Sequence, residues 1–298
     1  MNNESLFFSV IIPTYNRPDR VQECLASLLK LDYRRDRMEI IIVDDGSKTP
    51  LDEIIRPYQN QINITLIRQE NSGPAKARNT GALTAKGKFL AFTDDDCTPT
   101  SDWLKELELQ FNKKPDCLIG GATINALPDN IYTTASHEII NYLYSYYNSN
   151  PEESRFFTSN NFALAKELFI KIGGFDTSFS LAAGEDREFC DRWLHFGYKM
   201  IYARDVKVYH AHELSLKKFW KQQFNYGRGN FSFQTITAKR HRKKFQNFSF
   251  YCNLLKYPFS LSLNHSTWLI ASLFLLSQFA IAAGLFSARI EKNFPTKS

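Results

Sequence analysis

The sequence has no pair of cysteines at CxxC spacing. Its five cysteines (Cys24, Cys97, Cys117, Cys190 and Cys252) are scattered and odd in number, which argues against a disulfide framework or a zinc site and fits a reducing compartment. No basic stretch precedes the first apolar run, and Pro13 interrupts that run early. The N-terminus therefore reads as a first strand, not a signal peptide. No GxGxxG follows that strand, which disfavours a nicotinamide-dependent Rossmann enzyme. Internal repeats and low-complexity tracts are also missing. With 43% hydrophobic and 23% charged residues the composition excludes a disordered chain, and 298 residues suffice for one large domain with appendages. A large excess of one charge is lacking too. The formal net charge is +6, and much of it comes from the run Lys239-Arg240-His241-Arg242-Lys243-Lys244. Such a run suits a solvated face, an anionic membrane surface or nucleic acid. Finally, residues 257–288 contain no Asp, Glu, Lys or Arg. Within them, Thr267 to Phe286 is apolar enough and, at about 1.5 Å per residue, long enough to cross about 30 Å of hydrocarbon. Ser272, Ser277 and Gln278 weaken that reading, leaving a core helix or an interfacial segment as alternatives. Lys and Arg are denser before this stretch than after it, which puts the preceding domain on the cytoplasmic side. In that setting the basic run becomes a contact for anionic headgroups.

What is present is a regular alternation. Leu6 to Ile12, Glu39 to Val43, Ile62 to Ile67 and Lys88 to Phe92 read as strands. Between them, Val21, Cys24, Leu25, Leu28 and Leu29 recur at helical spacing after Pro18, and Ala75 to Ala85 is helical. Further on, Trp103 to Phe111, Phe162 to Ile172 and Arg187 to Phe196 read as helices, and Leu118 to Ile124 and Val206 to Tyr209 as strands. The tyrosine-rich stretch Tyr142 to Tyr147 suits either core or an acceptor-facing surface. The alternation predicts an α/β fold with a mostly parallel sheet covered by helices on both faces. In such sheets ligands lie beyond the carboxyl ends of the strands. Polar clusters fall there: Thr14-Tyr15-Asn16-Arg17, Asp44-Asp45 and Asp94-Asp95-Asp96.

Three adjacent carboxylates after a buried strand repel one another unless a cation intervenes, and oxygen ligands suit Mg²⁺ or Mn²⁺. The bland alternative is an acidic turn. Asp45 can accept hydrogen bonds from a nucleotide base or ribose. Asn71 to Asn79 sets small residues beside Lys76 and Arg78 at a helix start, where phosphates bind; the alternative is a Gly-Pro loop and a solvated helix face. Glu185 and Asp186 at another helix start are either a cap or, for Asp186, a general base whose proton affinity must be raised by burial or by Glu185. His210 and His212 alternate on a strand end, so at most one is expected to reach a metal.

Together, Val10 to Arg17, Ile42 to Ser47, Ala77-Arg78-Asn79 with Gly81, Thr93 to Asp96, Gly173 to Asp176 and Gly184-Glu185-Asp186 resemble family 2 glycosyltransferases over roughly residues 6–230. The resemblance implies the GT-A fold, a nucleoside-diphosphate sugar donor, a divalent cation (Mg²⁺ or Mn²⁺) and inversion at the anomeric carbon. Position by position, it implies that Pro13, Tyr15, Arg17 and Asp45 surround the base and ribose. Arg78 then lies near the diphosphate or sugar, with Asp95 and Glu185 also on the donor side. Asn161 faces the transferred sugar, Asp94, Asp96 and His210 hold the metal, and Asp186 is the catalytic base. Phe224 to Gly229 resembles a segment found after the core in members acting near membranes. The Gln-x-x-Arg-Trp signature of processive synthases is absent. The nearest run, Gln222 to Tyr226, favours addition of a single sugar.

The expectation is therefore a membrane-associated transferase for a saccharide or lipid-linked acceptor, serving surface polysaccharide or glycolipid synthesis, with no nucleic-acid partner. The alternatives are a polyprenyl-phosphate sugar synthase and a non-catalytic nucleotide-sugar-binding membrane protein. The organisation read from sequence is a catalytic domain over 1–230 and a basic, amphipathic membrane-proximal segment over 231–266. An apolar helix over 267–286 and a polar tail over 287–298 follow.

Overall fold

A computed structural model describes residues 5–179, 181–238, 240 and 246–293. The first four strands are β1 (Phe8–Thr14), β2 (Met38–Asp44), β3 (Ile64–Arg68) and β4 (Phe89–Thr93), separated by α1 (Pro18–Leu28), α2 (Asp52–Gln59) and α3 (Pro74–Thr84). There follow β5 (Cys97–Pro99), α4 (Trp103–Lys113), β6 (Leu118–Asn125), α5 (Ile131–Tyr147), β7 (Asn161–Ala165), α6 (Lys166–Lys171), α7 (Glu185–His195) and β8 (Met200–His210). Helices α8 (Leu216–Thr237), α9 (Phe248–Lys256) and α10 (Thr267–Asn293) come after the sheet.

Among the described residues, eight strands form one sheet in the order β3-β2-β1-β4-β7-β6-β8-β5. The first half is parallel as expected: β1 pairs with β2 and β4, and β2 with β3. Strand β7 runs antiparallel to both β4 and β6, β5 runs antiparallel to β8, and β6 and β8 are parallel. The sheet is thus mixed beyond β4. Alternate residues of β1 point to opposite faces, and both faces are covered. Val10 and Ile12 pack with Val21 and Leu25 of α1 and Leu107 of α4. Ile11 packs with Ala77 of α3 and Phe189 and Trp193 of α7.

Two expectations change here. The span Phe162 to Ile172 is not one helix. Its first residues belong to β7, every residue of which is buried, and only Lys166–Lys171 is helical. A short apolar run buried on both faces has no period to separate strand from helix. Nor does any element end at residue 230, because α8 runs through it to Thr237. The C-terminal helices share a core with α5: Ile139 and Tyr142 pack with Phe219, Phe250, Leu254, Ile270 and Phe274. The tyrosine stretch is the end of α5; Tyr142 and Tyr144 are buried, and Tyr146 is exposed. The apolar segment is one helix extending past Phe286 to Asn293. Of the basic run only Arg240 lies within the described residues; it pairs with Glu188 and with Asp191 at 2.9 Å.

Candidate active site

The carboxyl ends of β1, β2 and β4 converge, and their loops are laced together. Thr14 Oγ1 donates to Asp95 at 2.6 Å. Asn16 adopts a left-handed φ of 55°, a region Asn tolerates better than most residues. Its N–H donates to Ser47 Oγ at 2.8 Å, and its side-chain oxygen accepts from the Lys48 N–H at 2.8 Å. Asp45 is buried and accepts from Gln69 Nε2 at 2.7 Å and from the N–H groups of Ser72 and Gly73 at 2.9 and 2.8 Å. Its carboxylate therefore fixes the loop before α3, while the residue still lines the cleft.

The three aspartates after β4 have different partners. Asp94 accepts from Arg78 Nη2 at 2.8 Å. Asp95 and Asp96 share Arg17 Nη1, each at 2.9 Å. Burial pushes Asp95 up to about 7 against the pull of Arg17. Asp96 differs. Burial opposes its charge, but His210, His212 and Arg17 hold its pKa well below the usual carboxylate range. His210 Nε2 lies 3.2 Å from one Asp96 oxygen and His212 Nδ1 lies 3.4 Å from the other. Burial works against the charged form of His210, yet Asp96 wins and raises its pKa. One donor atom from each of Asp96, His210 and His212 lies within 4.8 Å of the other two. A carboxylate and two imidazoles are a donor set that fits a divalent cation.

The opposite wall is the start of α7. Gly184 precedes it with a φ of +92°, and a Cβ there would sit 3.0 Å from the Gly229 carbonyl oxygen. Glu185 is buried and accepts from Arg78 Nη1 at 3.2 Å, while its Oε2 has no hydrogen-bond partner among the described residues. Arg78, also buried, thus bridges Asp94 on one wall to Glu185 on the other. Asp186 is partly exposed to the cleft. Burial raises the pKa of both Glu185 and Asp186, with the charge of Asp186 adding to the rise at Glu185 and that of Asp94 adding to the rise at Asp186. That outweighs the helix N-terminus, which favours the charged form.

Between the walls lies a cleft of about 1050 Å³. Pro13, Tyr15, Arg17, Asp45, Arg78, Asp94, Asp95, Asp96, Glu185, Asp186 and His210, all expected from the sequence, line it together. Asn161 does not. It is fully buried, accepts from Trp103 Nε1 at 2.9 Å, and donates to the carbonyls of Ala122 and Val206 at 2.9 and 3.0 Å. Its side chain ties β7 to β6 and β8, and its neighbour Asn160 lines the cleft in its stead. The terminal nitrogens of Arg78 are committed to carboxylates, so it positions the walls. Lys76 is exposed and does not line the cleft.

The histidine expectation is corrected. Strand β8 ends at His210, and the Ala211 N–H donates to the Asp96 carbonyl at 2.8 Å. The strand alternation stops there, so both rings reach Asp96. The sequence reading also passed over Lys218, Lys221 and Tyr226 of α8, which form a third wall. Tyr226 carried a signal in the segment Phe224 to Gly229. Burial and nearby carboxylates push its phenol well up, so it remains a hydrogen-bond donor.

Comparisons with known proteins agree with this architecture. The model of the glycosyl transferase family 2 matches residues 9–174, and that of the N-terminal domain of galactosyltransferase matches residues 142–213. The chain is 29% identical over 231 residues to the glycosyltransferase AglE of Haloferax volcanii, covering 75% of this chain and 72% of AglE. It is 28% identical to a hyaluronan synthase of Pasteurella multocida, covering 68% of this chain but only 24% of the synthase. Among solved structures, the mannosyltransferase PcManGT of Pyrobaculum calidifontis, determined with GDP-Man and Mn²⁺, superposes with a TM-score of 0.63 at 20% identity. The match covers 98% of this chain and 82% of PcManGT. S. aureus TarS 1-349 in complex with UDP-GlcNAc gives 0.56 at 19%, over 97% of this chain and 91% of that one. The fold is GT-A. With more than half of its length matched by the family model, the protein belongs to glycosyl transferase family 2.

Proposed function

We propose that this protein transfers one sugar at a time from a nucleoside-diphosphate sugar to a hydroxyl acceptor, with inversion at the anomeric carbon. The product belongs to a surface polysaccharide or glycolipid. The observation that carries this reading is the pairing, in one cleft, of the Asp96–His210–His212 cluster, in which the Asp96 carboxyl is held low, with Asp186, whose carboxyl is raised by burial. Solved structures of similar fold hold GDP-mannose with Mn²⁺ or UDP-GlcNAc, which supports a donor of the same class here.

Tyr15, half-exposed at the cleft, offers a ring on which a base stacks, with Pro13 and Asp45 beside it. Asp96, His210 and His212 would hold a divalent cation, with Asp94 adjacent. Two imidazoles depart from the all-oxygen shell that Mg²⁺ prefers and support Mn²⁺. When bound there, a cation would supply charge neutralisation at the departing diphosphate. Asp186 accepts the proton of the acceptor hydroxyl, and the freed oxygen attacks the anomeric carbon from the side opposite the leaving group. Arg78 keeps the two walls in register and is a positioning residue.

A lipid phosphate acceptor is the second reading, favoured by Lys218 and Lys221 on the α8 wall. A non-catalytic binding role does not account for the complete pair of carboxylate clusters. The test is a donor screen, with and without divalent metal, that reads released nucleoside diphosphate in the presence of saccharide and polyprenyl-phosphate acceptors. Metal-dependent release that is lost in Asp186→Asn is expected. Undiminished transfer by that variant would remove Asp186 from the mechanism.

A further inference from the structure

Helix α10 has two unlike faces. Its inner face is fastened to α8 at backbone contact distance. A Cβ on Gly284 would fall 1.9 Å from the Phe224 carbonyl oxygen, and one on Gly227 would fall 2.0 Å from that of Ile281. Only glycine fits at either point. Arg228 of α8 grips Glu291 of α10 through two hydrogen bonds of 2.6 and 2.8 Å, and Lys292 lies over the Phe231 ring. The outer face exposes Trp268, Ser272, Leu275, Phe279, Ala282 and Phe286, a single stripe at alternating steps of four and three residues. Trp268 is 74% exposed and Phe286 64%. Phe259, also exposed, packs edge-on against Trp268 at 5.1 Å. A continuous apolar surface of this kind marks a partner.

Charge identifies the partner. Residues 1–213 hold 24 Lys and Arg against 30 Asp and Glu, whereas residues 214–298 hold 13 against the single Glu291. The modest net charge of the whole chain conceals an acidic catalytic portion and a strongly basic helical end. Two copies of the basic end repel each other, while an anionic lipid surface attracts it. A perpendicular span is disfavoured by α8. Because α8 and α10 lie side by side in contact, inserting α10 across the bilayer would drag Lys217, Lys218, Lys221 and Arg228 toward hydrocarbon.

We propose that α10 lies in the plane of an anionic membrane, its Trp268–Phe279–Phe286 stripe sunk into the headgroup boundary and its other face held by α8. The protein is then monotopic, seated on one leaflet with the α8 wall of the cleft directly behind the attachment. Vesicle binding is independent of the transfer reaction, so the two stand or fall separately.

The full chain is tested by co-sedimentation with phosphatidylcholine vesicles and with vesicles that also contain phosphatidylglycerol. Binding to the anionic vesicles, weakened by salt, is expected. The double variant Phe279→Asp/Phe286→Asp should bind at least about tenfold more weakly, with an unchanged circular-dichroism spectrum and thermal midpoint as the check on folding. Depth is read with lipids brominated at different acyl positions in a Phe279→Trp variant and a Phe286→Trp variant. An in-plane helix puts both at the same shallow depth. Deep quenching in the Phe279→Trp variant alone would mean a span and would overturn the proposal. So would vesicle binding indifferent to lipid charge, or a wild-type dimer in solution that the double variant dissolves while neither binds vesicles.

Discussion

Asp96 and the Glu185–Asp186 pair are chemically alike and electrostatically opposed, although Asp95 beside Asp96 is itself raised by burial to about 7. Asp96, after β4, is surrounded by His210, His212 and Arg17, and its pKa is held well below the ordinary range. Glu185 and Asp186, heading α7, share one cation between them, Arg78, and burial raises both. The neighbours therefore decide what each cluster can do. Asp96 is held anionic, as the proposed cation site requires, and Asp186 binds a proton more readily than an ordinary aspartate, as the proposed base requires.

The largest effect is expected from Asp186→Asn, which removes the proposed proton acceptor while preserving shape. The transfer rate should fall by about 10²–10⁴-fold, with donor affinity by calorimetry little changed. Next comes the bridge between the clusters. Arg78→Met leaves Asp94 and the buried Glu185 without their shared cation, and urea unfolding should show a loss of about 3–5 kcal/mol. On the anionic side, His212→Ala should weaken Mn²⁺ affinity in titrations by at least about 10–100-fold, the range seen when even the outer-shell partners of metal ligands are removed. If His212→Ala left Mn²⁺ affinity unchanged, Asp96 and His210 would suffice and the clusters would differ less than described. Asn161→Ala falls outside both clusters. It strands Trp103 Nε1 and two carbonyls, which should cost about 1–3 kcal/mol of stability without changing the KM for donor.

The smallest and most diagnostic effect is the pH profile. Asp186 must be deprotonated to accept a proton, and its raised pKa means that protonation begins at a higher pH than for an ordinary aspartate. Transfer should decline on acidification about tenfold per pH unit below that pKa. Loss of this limb in Asp186→Asn would tie it to α7, and its persistence would assign it elsewhere.

Much of this was legible in the sequence where burial leaves a one-dimensional trace. Strands β1, β2 and β4 are almost entirely buried, so they read as apolar runs, and the polar residues at their ends stand out. Strand β7 is just as buried, but its five residues adjoin α6 and merge with it into one apolar stretch. Strand β8 was seen only at its end, because Arg204 and Asp205 are exposed where the pairing with β6 shifts register between Gly121 and Ala122. Helix α2 carries Pro57 inside it, which conceals it from pattern reading. In the cleft, residues contributed by strand ends and helix starts were found. Those whose role depends on where a strand stops, as with His212, or on which of two adjacent asparagines turns inward, were not. Distinguishing Asn160 from Asn161 requires knowing that Gly121 leaves room for the Asn161 amide, which lies 2.4 Å from where a Cβ would be.

The Arg78 bridge also bears on how the chain folds. Arg78 and Glu185 are separated by 107 positions, and Thr14 and Asp95 by 81. Contacts so distant in sequence close only after long loops have been ordered, a hallmark of slow folding through late events. The cleft therefore has no local precursor. A nascent chain can bury β1 to β4 before α7 has been made, yet it would carry an acidic edge with no opposing wall. Donor binding during refolding should consequently appear with the last kinetic phase and serve as a reporter of completed folding.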